Sequence, residues 1–299
     1  MTRSADVRGL IPVLATPFHP GGDLDVGSLR RLVEFQLESH VDGVAVFGFA
    51  SEGFTLTAAE RREVLRVVTA AAGPALPVVA GVAATGTRDA VEQARAAGEA
   101  GASVVMVVPP FMVKPSATQI VDFYGTVAAE GLPVMVQDAP ASTGVTMPVP
   151  LIVELSTVDG VASVKVETQP TAPKVGAVVA ATRPEFLTLG GQNALFVLEE
   201  YGRGALGTMP ACEFPDLLRP VLDLWEKGER DRARAGFAAL LPLVRFGLQP
   251  GIAWSIHKQV LVRRGIISSS TVRPPASDAD AGTLADLELL LADHGWAGR

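Results

Sequence analysis

Gly160-Val161-Ala162-Ser163-Val164-Lys165-Val166-Glu167-Thr168 is a short apolar run with a lysine and a glutamate set into its end. Its length and its valines read as a buried strand. Side chains alternate across a strand, so Lys165 and Glu167 share one face. A charged amine is costly to bury, and burial lowers a lysine pKa. The neutral amine is a nucleophile that can attack a ketone and form a Schiff base. An ordinary ion pair at a strand end is the competing explanation of the same residues.

Outward from this run, short apolar strands alternate with amphipathic helical stretches. Strands are expected at 9–15, 43–48, 77–81, 103–108 and 133–137 before it, and at 186–190 and 204–208 after it. Helices are expected near 26–39, 57–73, 88–99, 116 onward, 150–155 and 194–201. Thr57-Ala58-Ala59-Glu60 and Ser116-Ala117-Thr118-Gln119 are capping boxes, in which hydroxyl and N3 side chain satisfy free N–H groups at a helix start. Eight βα units with apolar, non-alternating strands imply a parallel sheet covered by helices, and eight strands close a TIM barrel. An open doubly wound sheet favours a Gly-rich dinucleotide turn after its first strand, and residues 15–22 lack one. After about residue 215 only helices follow, near 214–227, 231–246, 251–264 and 283–293. The expectation is an α/β protein: a (β/α)8 barrel over residues 1–227 with a C-terminal helical extension over 228–299.

Bulk properties narrow the function. The 299 residues are 48% hydrophobic and 19% charged, enough for a large core. A net charge of −7 without a basic patch argues against nucleic acid. No apolar run reaches the roughly 18–20 residues of a membrane span, and no signal-peptide layout is present. The single cysteine, Cys212, allows no internal disulfide or Cys-based zinc site, which fits a cytoplasmic location. His19, His40, His257 and His294 lack metal-ligand spacing. No metal or organic cofactor is implied.

Chemistry in such barrels sits at the C-terminal strand ends. Those positions hold Thr16, Gly48–Gly53, Pro109–Met112, Gln137–Pro140, Lys165 and Glu167, Gly190–Gln192, and Met209–Glu213. They form a polar ring with a lysine in it.

The same motifs carry a resemblance. Ile11-Pro12-Val13-Leu14-Ala15-Thr16-Pro17-Phe18 looks like an opening strand, and Gly48-Phe49-Ala50-Ser51-Glu52-Gly53 like a carboxylate-binding loop. Val164-Lys165 and Gly204-Ala205-Leu206-Gly207-Thr208-Met209-Pro210 complete the set. Together they resemble the dihydrodipicolinate synthase / N-acetylneuraminate lyase superfamily over nearly the whole chain. The resemblance implies a class I lyase in which Lys165 forms an imine with a 2-keto acid. It also implies a homo-oligomer, tetramer or dimer.

Departures from that pattern are informative. The family's proton relay of tyrosine, threonine and second tyrosine falls on Gln137, Ala50 and Met112, and an amide, a methyl and a thioether do not shuttle protons. Ser142 stands where the family has a carboxylate-binding arginine. Val136–Ser142, Lys165–Thr168 and Glu213-Phe214-Pro215-Asp216 look most like the 2-keto-3-deoxy-L-arabinonate dehydratase branch. The expected reaction is dehydration, or aldol cleavage, of a 2-keto-3-deoxy sugar acid. The alternatives are a synthase-like enzyme condensing pyruvate with an aldehyde and a barrel that binds keto acids without turnover.

The expected roles follow. Lys165 forms the imine, Glu167 moves protons or orients the lysine, and Gln137 positions substrate or water. Ala50 and Ser51 offer backbone N–H groups and one hydroxyl to the substrate carboxylate. Glu52 binds sugar hydroxyls or caps the next helix. Met112, Gly190, Gly191 and Met209 complete the substrate pocket, with Met209 offering its carbonyl. Gly190-Gly191 is a weak phosphate signal, which favours an unphosphorylated acid. Glu213 is a lesser candidate to face the site, Cys212 reads as a packed residue, and His257 as a structural residue of the tail.

Overall fold

The computed structural model describes residues 7–296, so the start of the first unit expected from sequence and the end of the second lie outside the described residues. In chain order the elements are β1 (Gly9–Leu10), α1 (Val26–Glu38), β2 (Val44–Val46), α2 (Ala58–Ala72), β3 (Val78–Val82), α3 (Thr87–Glu99) and β4 (Val104–Val107). They continue with α4 (Ala117–Ala128), β5 (Val134–Asp138), α5 (Pro140–Thr143), α6 (Val149–Leu155), β6 (Val161–Val166), α7 (Thr171–Ala181), β7 (Leu187–Gly190), α8 (Val197–Tyr201) and β8 (Gly207–Thr208). The chain then runs through α9 (Pro215–Glu226), α10 (Arg230–Phe246), α11 (Ala253–Arg263) and α12 (Ala281–Ala292).

The eight strands form one parallel sheet in the order β1-β8-β7-β6-β5-β4-β3-β2. Its edges meet, because Val13 bridges in parallel to both Ala45 and Ala211. The amide of Ala45 donates to the Pro12 carbonyl at 2.8 Å, and that of Leu14 to Ala45 at 2.8 Å. The first strand is shorter than the sequence implies: Pro12 carries no N–H, so pairing there reduces to a single bridge.

Strand residues alternate between two buried clusters. Val105 and Val107 pack toward the helices with Val134, Val136, Val164 and Val166. Val104 and Met106 pack in a separate cluster with Ile11, Val13, Val79, Met135 and Leu189. Each such side chain stabilises the fold by about 1.5–3 kcal/mol when fully buried. With both faces apolar, the strands read as continuous rather than alternating runs.

Both capping boxes form. The Thr57 hydroxyl accepts from the Glu60 amide at 3.2 Å, and Ser116 from Gln119 at 3.3 Å. α2 then ends at Gly73, with φ of 66°. The expected helix over 194–201 starts later, at Val197, because Gln192, Asn193 and Ala194 have φ values of 49°, 54° and 61°. The tail packs back on the strand ends, α11 against the 3-10 turn Phe49–Ser51. Among the described residues no helix is long and apolar enough to cross a membrane.

Candidate active site

β5 and β6 pair in parallel with Gln137 opposite Lys165 and Asp138 opposite Val166. Alternation therefore sends Gln137 and Lys165 inward, and Asp138 toward the helices. Outward-facing Asp138 meets Lys174 of α7 at 2.7 Å and the Thr168 hydroxyl at 2.7 Å. Burial raises the Asp138 pKa, against the pull of those two partners.

On the inner face Lys165 is 3% exposed. Its Nζ lies 3.3 Å from Glu167 Oε1. The other carboxylate oxygen, Oε2, accepts from Gln137 Nε2 at 2.8 Å. The Glu167 amide donates to the Asp138 carbonyl at 2.9 Å, which prolongs the strand pairing and keeps Glu167 on the lysine's face. Gly191 makes room for this carboxylate: a Cβ there would sit 2.5 Å from Glu167 Cγ. Gln192 then donates its side-chain amide to the Glu167 carbonyl at 3.0 Å.

The left-handed turn Gln192–Ala194 costs about 1–3 kcal/mol per residue, so its surroundings must hold it. Asn193 does so with both ends of its amide. Its Nδ2 donates to the Val244 carbonyl at 3.0 Å, and its Oδ1 accepts from the Ala211 amide at 2.8 Å. One side chain thus ties β7, the loop after β8 and α10.

Lys165 and Glu167 open onto a cavity of about 380 Å³, within the roughly 300–1,000 Å³ of small-molecule sites. Ala50, Met209, Gln192 and Asn193 line it from the strand ends. Residues 247–251, Trp254 and His257 close it from the tail. Trp254 Nε1 donates to the Phe49 carbonyl at 2.6 Å, which anchors that wall to the loop after β2.

Of the site residues expected from sequence, Lys165, Glu167, Ala50 and Met209 line the cavity and Gln137 reaches Glu167. Ser51 is 1% exposed, and its hydroxyl has no protein partner among the described residues. Its amide is committed to the Gly48 carbonyl at 2.9 Å, contrary to the expectation of a free donor. Its carbonyl accepts from Thr16 Oγ1 at 2.6 Å.

Three expected substrate residues lie elsewhere. Glu52 is wholly buried, pairs with Lys258 and accepts from the Arg273 amide at 3.1 Å, so it faces the tail. Its φ of 53° turns the side chain off the path of its neighbours, and Thr57 caps α2 in its place. Met112 is 73% exposed, outside the cavity. Lys114 Nζ holds the Phe111 and Thr143 carbonyls at 2.9 and 2.8 Å and leaves Met112 on the solvent side. Gly190 backs onto Glu200, where a Cβ would meet Oε2 at 1.8 Å.

His257, read from sequence as structural, lines the cavity, and its Nδ1 lies 2.7 Å from Glu213 Oε1. Trp254 and the 247–251 loop were absent from the expected site altogether. Their place depends on how the tail folds back, for which periodicity carries no signal. Cys212 is buried and accepts a bond from the Ala15 amide at 3.3 Å, and burial raises its thiol pKa well above the ordinary value.

The sequence profile of the dihydrodipicolinate synthetase family matches residues 6–293. The chain belongs to that family. As a dihydrodipicolinate synthetase family protein it is a lyase of the lysine Schiff-base class. It is similar to the L-2-keto-3-deoxyarabonate dehydratase of Azospirillum brasilense, 32% identical over 295 residues covering 94% of this chain and 92% of the relative. It is equally similar to a 4-hydroxy-tetrahydrodipicolinate synthase of Stenotrophomonas maltophilia, 32% identical over 296 residues covering 95% and 98%. The crystal structure of dihydrodipicolinate synthase from Rhodopseudomonas palustris superposes with a TM-score of 0.91 at 31% identity, over 97% of this family member and 98% of that chain.

Proposed function

We propose that this protein dehydrates a 2-keto-3-deoxy sugar acid through an imine on Lys165, on a (β/α)8 TIM barrel with a C-terminal helical extension. The observation that carries the proposal is the Lys165–Glu167–Gln137 chain, 3.3 and 2.8 Å long, at the floor of a cavity that no tyrosine lines. Tyr124 is buried elsewhere, with its hydroxyl on the Val107 carbonyl at 2.8 Å, and Tyr201 sits in α8. Condensing pyruvate with an aldehyde calls for a hydroxyl relay that passes a proton to the incoming carbonyl. Eliminating water from an imine calls for a base at C3 and an acid at the C4 oxygen.

Lys165 Nζ adds to the C2 carbonyl, and loss of water leaves a protonated imine. That cation acidifies the C3 protons. Glu167 takes one of them, with Gln137 holding the second oxygen so that Oε1 stays on the lysine side. The C–H electrons move into the enamine and then expel the C4 hydroxyl. The buried Ser51 hydroxyl is a ready donor for the substrate carboxylate. The proposal extends to a homo-oligomer in the cytoplasm, with a catalytic unit over 1–227 and a helical unit over 228–299.

The equal similarity to a synthase favours one competitor, a pyruvate-condensing enzyme. The two are separated by mixing the protein with pyruvate and with a panel of 2-keto-3-deoxy pentonic and hexonic acids, adding borohydride, and mapping adducts by peptide mass spectrometry. The expected result is a reduced adduct on Lys165, with turnover of one of the sugar acids. An adduct with pyruvate and turnover only when an aldehyde is supplied would replace the dehydratase by the condensing enzyme. Absence of any adduct would overturn the assignment of Lys165.

A further inference from the structure

Among the described residues, the side chains lining the cavity that could carry a proton to or from a substrate are Lys165, Glu167 and His257. The first two come from the end of β6, and the Glu167 carboxylate is already engaged by Lys165, the Gln137 side chain and the Gln192 backbone amide. His257 comes from α11, in the wall that the tail supplies.

The setting of His257 fixes its chemistry. Nδ1 lies 2.7 Å from Glu213 Oε1, and Glu213 is 1% exposed in the segment after β8. A carboxylate on Nδ1 keeps the proton on that nitrogen and leaves Nε2 as the working one. Nε2 makes no hydrogen bond to another of the described residues, and His257 lines the cavity. Gly247 leaves room for the edge of the ring: a Cβ there would stand 2.6 Å from His257 Cε1. Only a glycine at 247 lets the imidazole lie where it does. A buried acid, an oriented imidazole and an unpartnered nitrogen on an open cavity form a built proton-transfer device. A simple tie between α11 and β8 has no need of the cavity.

Resting on the dehydratase assignment above, we propose that His257, oriented by Glu213, is the proton donor to the hydroxyl that leaves the substrate. In the imidazolium form, Nε2–H points at the C4 oxygen. The enamine electron pair forms the C3–C4 double bond as the C4–O bond breaks. The C–O pair goes to oxygen, which takes the Nε2 proton and departs as water. His257 is left neutral with its Nδ1–H on Glu213. Glu167 has gained the C3 proton, and both groups reset by exchange with solvent water. Hydrolysis of the unsaturated imine frees Lys165. No oxidant or reductant enters. His257 is then a catalytic residue and Glu213 a positioning residue.

Pyruvate separates this step from the earlier ones, because it forms the imine and exchanges its methyl protons but carries no leaving hydroxyl. The experiment compares dehydration of the sugar-acid panel with deuterium wash-in to pyruvate in heavy water, in the full chain and in His257→Asn. General acid catalysis contributes about 10²–10⁴-fold, so dehydration is expected to fall by at least about a hundredfold. Pyruvate exchange and borohydride trapping are expected to stay within about twofold. Glu213→Gln keeps an acceptor on Nδ1 without its charge. It is expected to lose the same step by a smaller factor, and it carries the test if His257→Asn does not fold. Parent-level dehydration in the folded variants would remove His257 from the reaction while leaving the imine intact. Equal loss of exchange and dehydration would place the defect in site geometry and overturn the assignment too. A parent protein that neither traps nor exchanges pyruvate would sink the Schiff-base assignment itself, and the role of His257 with it.

Discussion

Two lysines in this protein are buried to almost the same degree and each faces a glutamate, yet the rest of their surroundings differs. Lys258 is 0% exposed. It pairs with Glu52, donates to the Thr271 carbonyl at 2.8 Å and lies 4.3 Å from the centre of the Phe18 ring. Burial lowers its pKa, and Glu52 pulls it back up. Lys165 is 3% exposed and has Glu167 at 3.3 Å, with a cavity on its open side. Burial therefore does not identify a working amine. What distinguishes Lys165 is room for a carbonyl beside an amine that is not fully coordinated.

Replacing each lysine by methionine should break the comparison cleanly. Lys165→Met is expected to abolish borohydride trapping and turnover. Its stability should stay within about 1.5 kcal/mol of the parent, because Glu167 keeps Gln137 and sits at the cavity rather than in a sealed core. Lys258→Met leaves Glu52 buried without its cation, which costs about 3–5 kcal/mol. Urea unfolding of both variants gives the answer. A larger stability loss in Lys165→Met than in Lys258→Met would refute the contrast.

Glu200 sharpens the comparison from the acid side. It is 0% exposed, with no cation paired to its carboxylate among the described residues. Burial pushes its pKa from 4.5 up to about 7; Thr171 opposes the shift, and the charges of Glu199 and Glu167 reinforce it. The folded state thus holds a proton that the unfolded chain releases. Its contribution to stability is full below the unfolded carboxylate value of 4.5 and is lost as pH rises to about 7. The total is on the order of 3 kcal/mol. Glu200→Gln should flatten that slope, read as urea midpoints across the window. A parent protein with no slope there would show that Glu200 does not titrate in it.

Much of this arrangement was legible in the chain. The βα rhythm, both capping boxes and the shared face of Lys165 and Glu167 follow from period and spacing, which are local properties. Gly191 could be placed near the site, but its function as clearance for Glu167 needs the distance between two strands. Glu52 misled for a related reason. A glutamate in a polar loop looks like a ligand for hydroxyls until Lys258, more than two hundred residues later, is found beside it. The turn at Gln192–Ala194 was hidden because none of its residues is glycine, the usual sign of a left-handed backbone. His257 and Trp254 were hidden by topology, since their helical spacing says nothing about which strand end the helix covers.

The tail's share of the cavity has an evolutionary consequence. The amine and its carboxylate are encoded within three residues of β6 and the segment after it, while the opposite wall is encoded some eighty residues downstream, between Gly247 and His257. Recombination or mutation in that downstream stretch can therefore alter which molecules are admitted without touching the covalent apparatus. A lineage built this way can inherit one electrophile-capturing centre and diversify its diet by rewriting a loop and one turn of helix.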